Sequence, residues 1–302
     1  EVREPRIAET RDVDVLVIGG GPAGLIAATA CARGGRAVML VDEEPRAGGS
    51  LNWWPSDPGA DPDTLARVAI QAGVELRLST SAVGIYDPWE DASGASGAQP
   101  ARRREPPVVL LASSEGVERV HPRRTVIATG RHEGMSAFED NDCPGVIELR
   151  AACVLLSHGV LPGERVAVAG EGALVDALAE RLRAEGAELI GPVTEAALVE
   201  ATGRACVEGC VIEEAGRRVT YACDAVVVSP PTSAVYELAA QAGVEVAFSG
   251  TGFELGVGDA GATAAPDVRA VGWVQGPAVA SLDAVREASE AAAAAIVGEL
   301  AS

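Results

Sequence analysis

Six residues near the N-terminus have the types and spacing to hold a diphosphate. Gly19-Gly20-Gly21-Pro22-Ala23-Gly24 fits G-x-G-x-x-G, with Gly19, Gly21 and Gly24 at the key places. In that pattern the first glycine makes a tight turn. The second lets the backbone approach a pyrophosphate, and the third lets the helix pack against its strand. Pro22 and Ala23 open that helix, whose N-terminus offers N–H groups and a partial positive charge to the phosphates. Asp42 follows 18 positions after Gly24. A carboxylate there can accept from both ribose hydroxyls and would repel a 2′-phosphate, so NADP is disfavoured at this site. Glu43 stands beside it, and Arg46-Ala47-Gly48-Gly49-Ser50-Leu51 follows. The Gly-Gly turn can pass close to a dinucleotide, which adds Arg46, Gly49 and Ser50 to the candidates. Trp53-Trp54 could stack on a flavin or nicotinamide ring, or pack as an ordinary loop.

A second, weaker turn is Gly170-Glu171-Gly172. Val175 stands where the third glycine would be, and Glu171 puts a negative charge into the phosphate loop. The next strand, Glu188-Leu189-Ile190, ends in Gly191-Pro192 with no acid for a ribose. This half is expected to bind a dinucleotide poorly, because an anion site should not carry its own carboxylate.

No catalytic constellation emerges. His121, His132 and His158 have no patterned Ser or Cys partner, and His132-Glu133 is the one pair worth watching. The 24 basic residues are all Arg; without Lys, Schiff-base chemistry is excluded. Six scattered cysteines include no Cys-x-x-Cys, and Cys206 and Cys210 are the closest pair in sequence. With no second pair and no nearby His, a metal site lacks ligands. Structural thiols in a reduced, cytoplasmic compartment are the expected reading.

The elements that must position the first motif are legible. Asp14-Val15-Leu16-Val17-Ile18 reads as a buried parallel strand, Ala23–Arg33 as a helix and Ala37–Val41 as a second strand. Together they make one βαβ unit. Residues 1–12 read as a loose arm, 63–73 as a helix and 74–86 as a strand. Residues 87–107 read as a flexible hairpin tip whose Arg102-Arg103-Arg104 is a solvated turn. Residues 108–112, 117–120 and 125–128 read as strands. A second unit follows about 150 residues after the first: strand 165–169, helix 173–185 and strand 188–190. Strand 225–229 could lead back to the first domain. A helix after Ser281 closes the chain.

About 150 residues per domain predicts two domains for 302 residues. A hydrophobic fraction of 48% supplies a sizeable core, and a net charge of −20 repels nucleic-acid backbones and anionic membrane surfaces. No apolar run approaches the roughly 18 residues that span a bilayer. Glu1-Val2-Arg3-Glu4 opens no export signal.

Beyond these patterns, the first unit together with Ala128-Thr129-Gly130 and the closing strand-Gly-helix resembles two-dinucleotide-binding flavoproteins of the glutathione and thioredoxin reductase type. More specifically, Ala128–Glu133 followed by Phe138-Glu139-Asp140-Asn141-Asp142-Cys143-Pro144-Gly145-Val146 resembles the α subunits of heteromeric sarcosine oxidases. Opine oxidases, dye-linked proline dehydrogenases and hydrogen cyanide synthases share that subunit type. The likeness covers most of residues 12–300.

The resemblance implies an α/β fold of two Rossmann-like domains, the second inserted into the first. The dinucleotide-binding domain is expected at 1–135 and 229–302, and the smaller one at 136–228. It implies a redox subunit in an amine- or amino-acid-oxidising complex. Its partners would be an oxidase-like flavoprotein subunit, similar to D-amino-acid oxidases, and a small iron–sulfur subunit. It places Thr129-Gly130 on the pyrophosphate side, and Val83, Gly272 and Trp273 complete the cofactor set. Related reductases carry Gly-Asp where this chain has Gly272-Trp273, so FAD and NAD both stand as cofactors for the first site. Disulfide reductase and folate chemistry are not implied. Two rival readings remain: a self-contained NAD(P)H-dependent flavin oxidoreductase, and a structural subunit with a vestigial dinucleotide site.

Overall fold

The computed structural model describes residues 7–53, 61–86, 107–276 and 281–302. The chain divides into two compact units. The first takes its described residues from 1–51, 59–131 and 234–302. The second takes them from 52–58 and 132–233.

The first unit opens with β1 (Ile7–Ile18), which begins earlier than the expected arm allows. The reason is pairing: Thr10–Val13 align with Arg119–Pro122 of a later strand, so the ladder runs past the apolar stretch. Helix α1 (Pro22–Arg33) starts on a proline at its first turn, where the missing N–H costs nothing. Strand β2 (Val38–Val41) runs parallel to β1 and is buried throughout. Helix α2 (Pro62–Gln71) is capped by Asp61, which accepts from Thr64 N at 3.0 Å. The expected strand over 74–86 is broken at Ser79, whose φ is 49°. It becomes β3 (Glu75–Arg77), parallel to β2, and β4 (Thr80–Tyr86). Strands β5 (Val108–Ser113) and β6 (Gly116–Ile127) form a hairpin, with β4 antiparallel to β5. The two strands expected at 117–120 and 125–128 are thus one strand, which also runs parallel to β1. The expectation for 87–107 lies, apart from Pro107, outside the described residues, as does that for Trp54.

Strand β7 (Arg131–Glu133) carries the chain into the second unit. There β8 (Val146–Glu148), α3 (Leu149–Ser157), β9 (Arg165–Ala169), α4 (Ala173–Ala184) and β10 (Glu188–Val193) alternate. An antiparallel sheet of β11 (Leu198–Thr202), β12 (Gly209–Glu214) and β13 (Arg217–Tyr221) follows. Strand β14 (Ala225–Val228), after which the chain leads back to the first unit, lies at the centre of a parallel sheet ordered β10-β9-β14-β8. Its four residues are all buried, and such a run needs neighbours on both sides.

After β15 (Thr232–Ala234) the chain re-enters the first unit through α5 (Glu237–Gln241). A short hairpin of β16 (Val246–Phe248) and β17 (Phe253–Leu255) follows, then β18 (Val268–Ala270) and α6 (Leu282–Ala301). Strand β18 adds to the C-terminal end of β6, in a sheet otherwise ordered β3-β2-β1-β6-β5-β4. Apolar cores cover both faces of this sheet, one built on α1 and α6 and the other including α5 residues and Leu255. Gly34, the C-cap of α1, lets α6 come close: a Cβ there would lie 2.5 Å from Val297 Cγ2.

Candidate dinucleotide site

The C-terminal ends of β1, β2 and β6 carry the first-unit candidates to one edge of the sheet, where a doubly wound fold places its ligand crevice. Gly19 has φ 110°, and a Cβ there would run into the carbonyl of Ala128 at the end of β6. A Cβ on Gly24 would run into Gly19 O, so α1 reaches its turn only because this side chain is absent. Gly21, by contrast, would gain a Cβ with no neighbour nearer than Gly49 Cα at 4.0 Å. The space over Gly21 is open, as a backbone meant to face a ligand requires.

Helix α1 has Gly21 as its N-cap, no side-chain cap and no acid in its first turn. Helices α2 and α6 have capping side chains, Asp61 and Ser281. Leu25 N is bonded to Gly21 O, and Pro22 has no N–H. The Ala23 and Gly24 N–H groups remain as the natural partners for an anion.

Asp42 follows β2 directly, and its carboxylate is held on both sides. Gly20 N donates to Oδ2, and Glu44 N donates to Oδ1 at 2.8 Å. This fixes the carboxylate against the glycine turn while leaving further lone pairs on each oxygen. Gly48 N donates to Gly20 O at 2.8 Å, which lays the following loop over the same turn. Gly49, at φ 52°, approaches so closely that a Cβ would be 2.9 Å from Gly21 Cα. Ser50 is half-buried in the short 3₁₀ turn that Gly49 opens. Glu43 is exposed, and Arg46 is an exposed partner of Asp63 on α2, at 2.9 Å.

Val83 is half exposed on β4, and the pairing register steps from Ala82 to Gly84, leaving Val83 as a bulge. Thr80 N donates to Asp42 O at 2.8 Å, which ties the start of β4 to this edge. Thr129 Oγ1 donates to Val235 O at 2.9 Å, and Val235 N to Gly130 O at 3.0 Å. Gly272 has φ 79°, and its Cβ would lie 2.5 Å from Ala23 Cβ, so the last loop also abuts the start of α1. Trp273 packs against the core on that side. Sequence alone marked these glycines without showing which backbone each one meets.

The second unit's turn is different in kind. Val175 is buried where the first unit has Gly24, and a Cβ at Gly170 would meet Val175 Cγ2 at 3.1 Å. Glu171 is exposed in the turn, and Asp176 adds a second acid in the first turn of α4.

Several side chains in the second unit take roles that spacing did not reveal. Cys210 contacts Cys223 rather than Cys206; both are buried, and the hydrogen bond between their thiols, with burial, raises the Cys223 pKa. Trp53 packs on the second unit's core with the Arg150 guanidinium 5.8 Å from its ring centroid, which favours the packing alternative. His132 is exposed. Glu133 accepts from Arg150 N at 3.0 and 3.3 Å at the start of α3. Burial pushes its carboxyl up to about 7, with Glu148 adding to the rise and the Arg150 contacts opposing it. The signal for this was faint: one acid following one histidine.

Residues 14–60, which hold the glycine turn, Asp42 and the Gly-Gly loop, match the family model of FAD dependent oxidoreductases. Over 255 residues, 80% of this chain, the sequence is 31% identical to sarcosine oxidase subunit alpha of Corynebacterium sp. (strain P-1). Over this stretch the chain is similar to the sarcosine oxidase α subunits. It spans 24% of that subunit's length. The L-proline dehydrogenase structure from P. horikoshii superposes with a TM-score of 0.76 at 22% identity, covering 99% of this chain and 58% of that one. Thioredoxin reductase of Lactococcus lactis superposes at 0.69 and 19% identity, covering 95% and 99%. The fold is therefore that of the glutathione and thioredoxin reductase-like flavoproteins. FAD is the cofactor that the family match supports. The open, uncapped turn over Gly21 fits a diphosphate group of that kind. No helix among the described residues is long and apolar enough to cross a membrane.

Proposed function

We propose that this chain is the FAD-binding subunit of a heteromeric oxidoreductase that oxidises a secondary amine or amino acid, and that it takes part in electron transfer from an oxidase-like partner. The observation that carries the reading is the juxtaposition of the bare Gly21 backbone, the uncapped N-terminus of α1 and the doubly held Asp42. Bound FAD would supply two-electron redox chemistry. The chain's own residues bind and orient it. Gly19, Gly21, Pro22, Ala23 and Gly24 receive the diphosphate. Asp42 accepts from the ribose, with Glu43, Arg46, Gly49 and Ser50 in the loop beside it. Val83, Thr129, Gly130, Gly272 and Trp273 would complete the residues that hold it. The amine chemistry is assigned to the partner subunit, and this chain to holding the dinucleotide. The second unit's turn, with Val175 and Glu171, argues against a self-contained NAD(P)H-dependent enzyme.

An absorption spectrum of the purified chain, with mass spectrometry of the released ligand, tests the cofactor. Flavin bands and released FAD are expected. A colourless protein that releases NAD, or that takes up no dinucleotide, would overturn this reading. Co-expression with a candidate oxidase-like subunit tests the complex. A stable assembly is expected, and an active, monodisperse monomer would count against it.

A further inference from the structure

The chain holds ten aromatic residues, four Trp, three Tyr and three Phe, so each exposed one stands out. Phe138 packs on the second unit's core. The other two phenylalanines sit opposite one another in the β16–β17 hairpin, Phe248 facing Phe253 in register. Their ring centroids are 5.4 Å apart, and Tyr236 stacks on Phe253 at 4.6 Å. Cross-strand pairing explains why two aromatics would stabilise a short hairpin. It does not explain why Phe248 stays 63% exposed and Phe253 38% exposed.

The hairpin is held firmly. Val246 and Leu255 join the core beneath it. Ser249 N and Oγ both donate to Gly252 O at 2.9 Å, closing the four-residue loop. Arg131 makes a two-pronged ion pair with Glu254 at 2.7 Å, and the Arg131 side chain is 8% exposed. That pair ties β17 to the residue following Thr129-Gly130. A preorganised aromatic knob of this kind suits recognition, since little ordering entropy remains to be lost on binding.

Charge decides what it fits. From 235 to 266 the chain has four acids, Glu237, Glu245, Glu254 and Asp259, and no basic residue. Glu237, Glu245 and Asp259 are exposed. A second copy of the chain would bring a net charge of −20 against the same net charge. We infer that the Phe248–Phe253 hairpin is a docking knob for a different polypeptide, one that offers an apolar pocket rimmed by Arg or Lys. This rests on the reading of the chain as one subunit of a heteromeric complex, and it names the surface that the partner covers.

The test is Phe248→Glu in this chain, co-expressed with a candidate oxidase-like subunit, alongside the double reversal Glu237→Arg/Glu245→Arg. FAD content and melting temperature are read on the free chain, and affinity by titrating the purified partner. Phe248→Glu should weaken association by about tenfold or more, with FAD content unchanged and melting lowered only by the loss of the cross-strand ring pair. The charge reversal should weaken it further at low salt than at high salt. A Phe248→Glu chain that assembles as tightly as the parent would overturn the docking surface and leave the proposed function standing. If the parent chain forms no complex, the heteromeric reading itself fails and the surface falls with it. If sedimentation shows that the parent chain dimerises through Phe248, the assigned occupant is wrong.

Discussion

Among single residues, the three motif glycines differ in what they do, and the difference is measurable. Gly24 is demanded by packing, because any Cβ there meets Gly19 O. Gly24→Ala should lower stability by roughly 1–3 kcal/mol through overpacking, read as a fall in denaturant midpoint. Gly21 is demanded by access. Its φ of −70° suits any residue, so a bulkier side chain, as in Gly21→Val, should leave folding nearly unchanged while FAD content drops sharply. Asp42→Ala removes the acceptor of the Gly20 N–H, a charge-assisted bond of about 1.5–3 kcal/mol, and should weaken FAD binding and loosen the turn together. Asp42→Asn keeps one oxygen and should lose less. Both are checked by FAD titration of the apoprotein.

The elements add a pH-dependent effect. Glu133 is half-buried at the start of α3, with Arg150 N–H donating to it, Glu148 nearby and Cys153 within electrostatic reach. Its carboxyl is raised from 4.5 to about 7 on folding. A raised carboxyl holds its proton more tightly when folded, so this group's contribution to stability is present at low pH. It is lost as pH rises from about 4.5 through about 7. Urea midpoints measured from pH 5 to 8 should fall with pH in the parent chain and fall less in Glu133→Gln. Equal slopes would show that Glu133 does not carry the effect. The two helix starts that follow Gly-rich turns also differ: α1 has no acid in its first turn, whereas α4 has Asp176, preceded by Glu171. NADH added to the FAD-loaded chain alone should therefore bleach the flavin slowly, and Glu171→Gly should change that little while Val175 still fills the third glycine's place. Rapid bleaching by NADH would restore the self-contained reductase reading.

For the molecule as a whole, two α/β units each have their own apolar cores, and the second interrupts the chain of the first. The net charge of −20 makes association with a complementary partner sensitive to salt. Assembly with the oxidase-like subunit should accordingly weaken as ionic strength rises, as measured by titration across a salt series.

The sequence by itself determined the βαβ unit around Gly19–Gly24 and Asp42, because buried strands, an Ala-rich helix and a glycine turn leave a local imprint of apolar runs and spacing. It also exposed the weakness of the second turn, since a carboxylate in a phosphate loop is legible without coordinates. Only the tertiary structure decided how far the strands extend: β1 reaches back to Ile7 through pairing with a strand about a hundred residues away. It also decided that Cys210 meets Cys223, that Trp53 rests under Arg150, and that Phe248 and Phe253 share one exposed hairpin. Each of these depends on contacts between residues distant in sequence or on solvent exposure, and neither leaves a periodicity to read.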